Sequence, residues 1–170
     1  MNNMKYELTD ETKWASEVVF NIKLFRIRAL CDFSTINKGE LGGFIEHEEN
    51  LSTSDDAWVS DDAWVFGDAN VTGNAWVFGN ASVSGNASVS GDARVSGDEC
   101  VTVEPISISG LPYNIMITDK HMTIACETKT FDEWKKTTPS DIEKECGRGD
   151  LWKLWKPTLM RIIENTKELI

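Results

Sequence analysis

Asp56-Ala57-Trp58-Val59-Ser60-Asp61 begins a run of eight consecutive six-residue phrases that ends at Val103. Alanine holds the second position of each phrase from residue 57 to residue 93, and valine holds the fourth position from residue 59 to residue 101. On a β-strand, side chains two residues apart point to the same face, so each alanine and its valine form an apolar inner pair. Self-similarity at a short, fixed period is typical of a solenoid.

Three phrases would close one triangular coil, with Asp, Asn and Gly residues at the corners between short strands. Positions eighteen residues apart would then stack on successive coils and bury a narrow apolar column. Ile45 and Leu51 extend the alanine register backwards, which predicts one irregular coil before Asp56. A flat strand array and a disordered tract are the alternatives, but disorder would not keep the apolar pair so strictly. The pattern predicts a mainly β chain built on a short parallel β-helix.

Composition excludes several classes of protein. The net charge of −11 disfavours direct nucleic-acid binding, which requires cations that neutralise phosphates. The chain has neither an apolar run long enough for a membrane span nor a hydrophobic signal region, so a cytoplasmic location without membrane partners is expected. The four cysteines show no paired metal spacing, so the sequence predicts buried free thiols, no metal and no cofactor.

Residues 1–50 are predicted to form an N-terminal β cap together with the first, irregular coil. Apolar residues alternate from Phe25 to Phe33, which predicts a half-buried strand with residues 18–24 as its hairpin partner. The glycines between Lys38 and Glu46 predict a sharp turn into the coils. Residues 51–103 form the predicted β-helix.

Residues 104–170 are predicted to contain a β-hairpin and a C-terminal helical segment. Two capping boxes, Thr130 with Glu133 and Ser140 with Glu143, predict the starts of two short helices. Apolar residues at helical spacing predict a last helical segment, in which Pro157 would cause a kink or a break into two helices.

The outward positions of the early phrases carry large aromatic side chains, which soluble monomers seldom leave uncovered. Stacking at eighteen residues places Trp58, Trp76 and Arg94 in one row, with Phe78 in the row beside it. The C-terminal segment of the chain, a second subunit, or a ligand would cover these aromatics. For a ligand, tryptophan faces would stack on a base and arginine would pair with an anion. The candidate ligand-binding residues are Trp58, Trp76, Phe78, Arg94, Arg26 and Arg28.

The six-residue pattern resembles the left-handed β-helix of the hexapeptide-repeat acyltransferases, and the left hand is implied by that resemblance alone. The whole chain resembles a set of uncharacterised hexapeptide-repeat proteins of phages, prophages and gut bacteria. The segments that carry this resemblance are 24–29, 39–46, 50–52, the phrases themselves, and Ile124-Ala125-Cys126 with Thr130 and Trp134. Such proteins often have a His-Thr pair where this chain has Lys129-Thr130. A phage-type origin implies interference with host defence.

Three functions from different classes remain open. The favoured one is a non-enzymatic, phage-encoded, oligomeric binding protein that sequesters a small anionic, nucleotide-type signal of host defence. The second is an acidic protein that binds and blocks a host defence protein. The third is an acyltransferase, for which His47 and His121 are the two available bases, although neither has a motif around it and no catalytic residue is assigned. Self-association is expected for all three, with a trimer favoured.

Overall fold

The computed structural model describes residues 4–16, 21–103, 105–108, 113–125 and 127–166. It divides into two compact units, Met1–Ser107 and Ile108–Ile170, here called unit 1 and unit 2. The finer predicted divisions, after residues 50 and 103, stay a prediction.

Unit 1 opens with three antiparallel strands. Strand β1 (Tyr6–Ser16) pairs with β2 (Asn21–Ala29), which pairs with β3 (Leu41–Ile45). The strand predicted from Phe25 to Phe33 therefore starts earlier and ends at Ala29. Its predicted hairpin partner was wrong, because residues 21–24 belong to β2 itself and the partner is β1; residues 17–20 lie outside the described part of the chain.

The solenoid follows as eight strands of two residues each. They are β4 (Trp58–Val59), β5 (Trp64–Val65), β6 (Asn70–Val71), β7 (Trp76–Val77), β8 (Ser82–Val83), β9 (Ser88–Val89), β10 (Arg94–Val95) and β11 (Cys100–Val101). Parallel pairing runs β4-β7-β10, β5-β8-β11 and β6-β9, so stacked residues are eighteen positions apart, as predicted. The coils form a β-solenoid of about three turns.

The core of the solenoid is the predicted column of alanine and valine side chains, which are buried throughout. Glycines recur at the corners with positive φ, and Asp61 replaces one of them with φ 56°. The Asp61 carboxylate accepts a hydrogen bond from the backbone N–H of Gly79 at 3.0 Å, which supports this corner without a glycine.

The first coil has a different register from the predicted one. Strand β3 pairs in parallel with β5, so that Ile45 lies opposite Val65, and Leu51 bridges to Val71. Both side chains are buried, but they continue the valine positions, whereas the alanine positions were predicted. The spacing here is twenty residues, because Leu51 and Val59 lie eight positions apart, whereas Val71 and Val77, which stack on them, lie six apart.

Unit 2 combines a sheet with three helices. The strands of this sheet, in order, are β12 (Ile106–Ile108), of which only Ile108 belongs to unit 2, β13 (Ile115–Ile117), β14 (His121–Ile124) and β15 (Glu127–Thr130). The predicted hairpin is β13 and β14, which are antiparallel, and β15 adds a further antiparallel strand. The helices are α1 (Phe131–Lys136), α2 (Pro139–Cys146) and α3 (Gly149–Thr166). No helix in the described part of the chain has the length and apolarity needed to cross a membrane.

The helix ends confirm part of the prediction. Thr130 and Glu133 form the capping box of α1, and α2 ends at Gly147 in the left-handed conformation. The capping box of α2 is Thr138 with Asp141, because Pro139 takes the first helical position and moves the cap two residues earlier than Ser140. Helix α3 continues through Pro157 as one helix, so of the two predicted alternatives, a kink or a break, the break into two helices does not occur.

The thiols of Cys31 and Cys100 are free, as predicted, but both residues are exposed. Each lies outside the alternation that buries its neighbours: Cys31 follows the end of β2, and Cys100 occupies an outward position of β11.

Candidate functional site

Trp58 is covered by the N-terminal part of its own unit, which is none of the three coverings predicted from the sequence. Its ring packs edge-on against Tyr6 and Phe33, with centroids 6.4 and 5.3 Å away. The carbonyl oxygens of Glu48 and Leu51 lie 2.9 and 2.8 Å from the Tyr6 hydroxyl and share its single proton, which fixes that covering. Trp58 is 0% exposed, so it has no ring face free for a ligand.

Lys5 ties the same segment to the first coil. Its Nζ donates to the carbonyl oxygens of Ser54, Asp55 and Ala57 at 3.5, 3.1 and 2.7 Å and lies 4.8 Å from the Phe33 ring centroid. Burial lowers the pKa of Lys5 from 10.5 to about 8, and the charges of Asp56 and Asp55 only partly oppose that effect. The cation therefore titrates at a lower pH in the folded chain than in the unfolded chain.

We expect the contribution of Lys5 to stability to rise with pH. Below pH 8 both states carry the cation, and the cost of burying it is present in full; between about 8 and 10.5 only the unfolded chain keeps the proton. The free energy of unfolding of the natural chain relative to Lys5→Met should therefore increase over that interval. Urea unfolding from pH 7 to pH 10 measures it, and exposed Lys38→Met is the control. A difference that stays flat or falls would contradict the shifted pKa.

The other candidate residues of β2 are engaged within unit 1. Arg26 forms an ion pair with Glu11 at 3.3 Å and lies over the Phe44 ring, 5.1 Å from its centroid. The Nε of Arg28 donates to the Glu7 carboxylate at 2.8 Å. Both guanidinium groups already have a carboxylate partner on β1.

Trp76 and Arg94 are the two candidates that the structure brings into contact. They are paired residues on β7 and β10, and the Arg94 guanidinium lies 5.8 Å from the centroid of the Trp76 ring. Arg94 is exposed, whereas Trp76 and Phe78 are half-buried. This outward surface therefore offers an aromatic group and a cation side by side.

One histidine lies in each of the two units. The Nδ1 of His47 is 3.3 Å from the exposed carboxylate of Glu49. His121 is the first residue of β14, and burial lowers its pKa. Across the described ranges, no group of three or more His, Cys, Asp or Glu residues is placed to hold a metal ion.

A cavity that was not predicted from the sequence lies in unit 2, between its sheet and its helices. It is a largely apolar cavity of ≈ 230 Å³, here called the unit 2 cavity. Its lining is mainly aromatic and aliphatic, with three charged residues: Tyr113, Ile115, Ile124, Ala125, Glu127, Trp134, Ile142, Glu145, Arg148, Leu151, Trp152, Trp155 and Leu159.

Two buried tryptophans form the deep wall of the cavity. The indole N–H of Trp134 donates to the carbonyl oxygen of Met122, and that of Trp152 donates to the carbonyl oxygen of Thr137 at 3.1 Å. Their ring centroids are 5.1 Å apart. Because both indole donors are already used, these residues present the cavity with ring surface and no free polar atom.

Charged side chains surround the mouth, where the exposed lining residues lie. Lys129 contacts the carboxylates of Glu145 and Glu127 at 3.0 and 3.6 Å. Burial would lower the pKa of Lys129, but the hydrogen bond and charge of Glu145, together with Glu127, outweigh it and raise that pKa. The Arg148 guanidinium lies over Tyr113, 5.9 Å from its ring centroid. The carboxylates of Glu127 and Glu145 thus share one lysine, whereas the Arg148 guanidinium lies over the Tyr113 ring.

A cavity of this kind has only a weak sequence signal. Trp152, Trp155 and Leu159 lie at helical spacing, which predicts an apolar face but not whether that face is filled or leaves a space. Arg148 lies between two helices and belongs to no motif.

The sequence matches no family model and no curated protein.

Proposed function

We propose that this chain is a non-catalytic binding protein that holds a small organic molecule in the unit 2 cavity. The observation that supports this proposal most directly is the lining, which is apolar, contains three tryptophans and carries its charges at the mouth. Binding sites for small molecules are concave, mostly apolar and equipped with a few polar groups that fix orientation. The unit 2 cavity has all three properties.

The volume limits the size of the buried part of the ligand. A cavity of about 150 Å³ lined by apolar side chains accepts benzene. By proportion, ≈ 230 Å³ suits on the order of ten non-hydrogen atoms, which is the size of two fused aromatic rings. The tryptophan surfaces favour a flat body that stacks on them.

Native mass spectrometry of the protein as purified from cells tests the proposal, with the denatured mass as control. Additional mass that is released on unfolding would identify a retained ligand and its class. The same spectrum counts the subunits, for which a trimer is the proposed order. A chain that carries no additional mass and binds no aromatic probe would contradict the proposal.

A bulky substitution in the lining should weaken binding without disturbing the core. Leu151 is half-buried and lines the cavity, so Leu151→Trp adds bulk where the ligand would lie. We expect isothermal titration calorimetry with neutral naphthalene-2-methanol to show binding to the natural chain, with a Kd on the order of 100 μM for a ligand of this size, and at least tenfold weaker binding to Leu151→Trp.

Leu154→Trp is the matched control for that experiment. Leu154 lies on the same helix, is 69% exposed and does not line the cavity. Binding should persist in this variant. Equal binding by both variants would mean that the probe binds elsewhere.

The contact between Trp76 and Arg94 supports a second candidate function, sequestration of a nucleotide-type signal of host defence on the outer face of the solenoid. A ring beside a cation suits a base and a phosphate. Under this alternative the retained mass would be that of a nucleotide, Trp76→Leu would lose it, and Leu151→Trp would keep it.

We also propose that the β-solenoid is a left-handed β-helix of hexapeptide repeats. Parallel pairing at an interval of eighteen residues supports a coil of three six-residue phrases. The hand rests on the resemblance to the acyltransferases, and a crystal structure with a right-handed coil would contradict it.

A further inference from the structure

We propose that the ligand of the unit 2 cavity is a monoanion, with its apolar body between the tryptophans and its anionic group at the mouth beside Arg148. This inference rests on the proposed function, because it requires that the cavity be a ligand site. Beyond the proposed function, it specifies the charge of the ligand and the side chain that recognises that charge.

The charges at the mouth are not equally satisfied. Glu145 and Glu127 both contact Lys129, so each carboxylate has a cation within 4 Å. Among the residues that the structure describes, Arg148 has no carboxylate partner, and its guanidinium lies over the face of Tyr113. A guanidinium has five N–H donors, and a contact with a ring face uses none of them in a conventional hydrogen bond.

The position of Arg148 suits a ligand that enters the cavity body first. Arg148 is exposed and lines the cavity. It lies one residue before α3, and Trp152 and Trp155 of that helix also line the cavity. Packing on Tyr113 restricts the guanidinium to the mouth, and a restricted arginine loses less freedom when it binds a carboxylate or phosphate. The planar group can then donate two parallel hydrogen bonds to one anionic group.

The apolar interior of the cavity limits which chemical groups the buried body of the ligand can carry. A body with polar edges, such as a purine, would lose hydrogen bonds to water against Trp134 and Trp152, whose indole donors are already bound to backbone carbonyls. An aromatic acid avoids that cost, since only its acidic group needs polar partners and that group stays at the mouth. The structure therefore points to a flat, apolar acid with one negative charge.

Three probes of one shape separate charge from cavity binding by calorimetry: naphthalene-2-carboxylate, neutral naphthalene-2-methanol and cationic naphthalen-2-ylmethylammonium. We expect the carboxylate to bind most tightly, about tenfold better than the alcohol, which is the factor that 1.4 kcal/mol represents. Arg148→Gln should remove this advantage and leave the affinity for the alcohol unchanged. Arg161→Gln, an exposed arginine of α3 outside the cavity lining, should change neither affinity.

The outcomes distinguish the two proposals. If none of the three probes binds, the cavity is not a ligand site and the proposed function fails. If the alcohol binds as well as the carboxylate, or Arg148→Gln leaves the preference intact, the cavity is a ligand site but the inferred charge is wrong. Tightest binding of the ammonium probe would assign recognition to Glu127 and Glu145 and overturn the role of Arg148.

Discussion

Alanine in place of Gly42 is expected to destabilise unit 1 more than an ordinary substitution would. A Cβ at this position would lie 2.5 Å from Cγ1 of Ile27, 2.6 Å from the carbonyl oxygen of Val59 and 2.7 Å from Cζ2 of Trp58. Atoms cannot remain at these distances, and all three groups are fully packed. Overpacking typically costs about 1–3 kcal/mol, and a clash with backbone on one side and a buried ring on the other belongs at or above the upper end.

Chemical denaturation measures the loss, and hydrogen exchange locates it. Gly42→Ala should lower the free energy of unfolding by about 3 kcal/mol or more and should increase exchange in peptides that cover β3, β4 and β5. Leu41→Ala is the matched control, because Leu41 begins the same strand and is 47% exposed. A Gly42→Ala protein as stable as Leu41→Ala would show that β3 does not approach the first coil this closely.

The glycines at 42 and 43 illustrate a limit of prediction from sequence. They were expected to provide a sharp turn, but both lie within β3, and neither has positive φ. Their role is close approach, since a Cβ on Gly43 would meet the carbonyl oxygen of Ala63 at 2.6 Å. Glycine is required both for unusual dihedral angles and for close contact, and the local sequence does not distinguish these two requirements.

The coils were more predictable than the parts that cover them. A repeated alanine and valine pair carries the burial pattern in every phrase, so the interval of eighteen residues followed from periodicity alone. The covering of Trp58 by Tyr6 and Phe33 depends on contacts between residues far apart in the sequence that have no shared period. The unit 2 cavity could not be predicted either. A cavity depends on how completely three helices and a sheet fill the space between them, and no local sequence pattern contains that information.

Among the polar residues, Asn50 is expected to show the largest effect on substitution. Its side chain is 0% exposed and makes four hydrogen bonds. The oxygen Oδ1 accepts from the backbone N–H groups of Glu46 and His47 at 3.1 and 3.0 Å. The nitrogen Nδ2 donates to the carbonyl oxygens of Gly67 and Ala69 at 3.0 and 2.7 Å. The amide thereby joins the lengthened first coil to the next corner of the solenoid.

Asn50→Asp keeps the shape of the side chain and both accepting interactions, but it replaces the two donated hydrogen bonds with an oxygen that faces two carbonyl oxygens. Each buried carbonyl that loses its donor costs about 1–3 kcal/mol, so the loss of both donors predicts a total of about 2–6 kcal/mol at neutral pH. Urea unfolding measures this loss. Asn37→Asp is the control, because Asn37 is exposed, and its stability should change by less than about 0.5 kcal/mol.

The loss in Asn50→Asp should also depend on pH, which separates this mechanism from a simple packing defect. The folded state favours the protonated carboxyl, because its O–H can donate to a carbonyl oxygen, so the pKa of the new group is raised above its unfolded value. Between those two pKa values the folded chain binds the additional proton, and stability falls as pH rises through that interval. The difference in unfolding free energy from the natural chain should therefore be smaller near pH 4 than at pH 7. A difference that is the same at both pH values would mean that the cost arises from altered packing and that the carbonyl oxygens of Gly67 and Ala69 do not determine the residue at position 50.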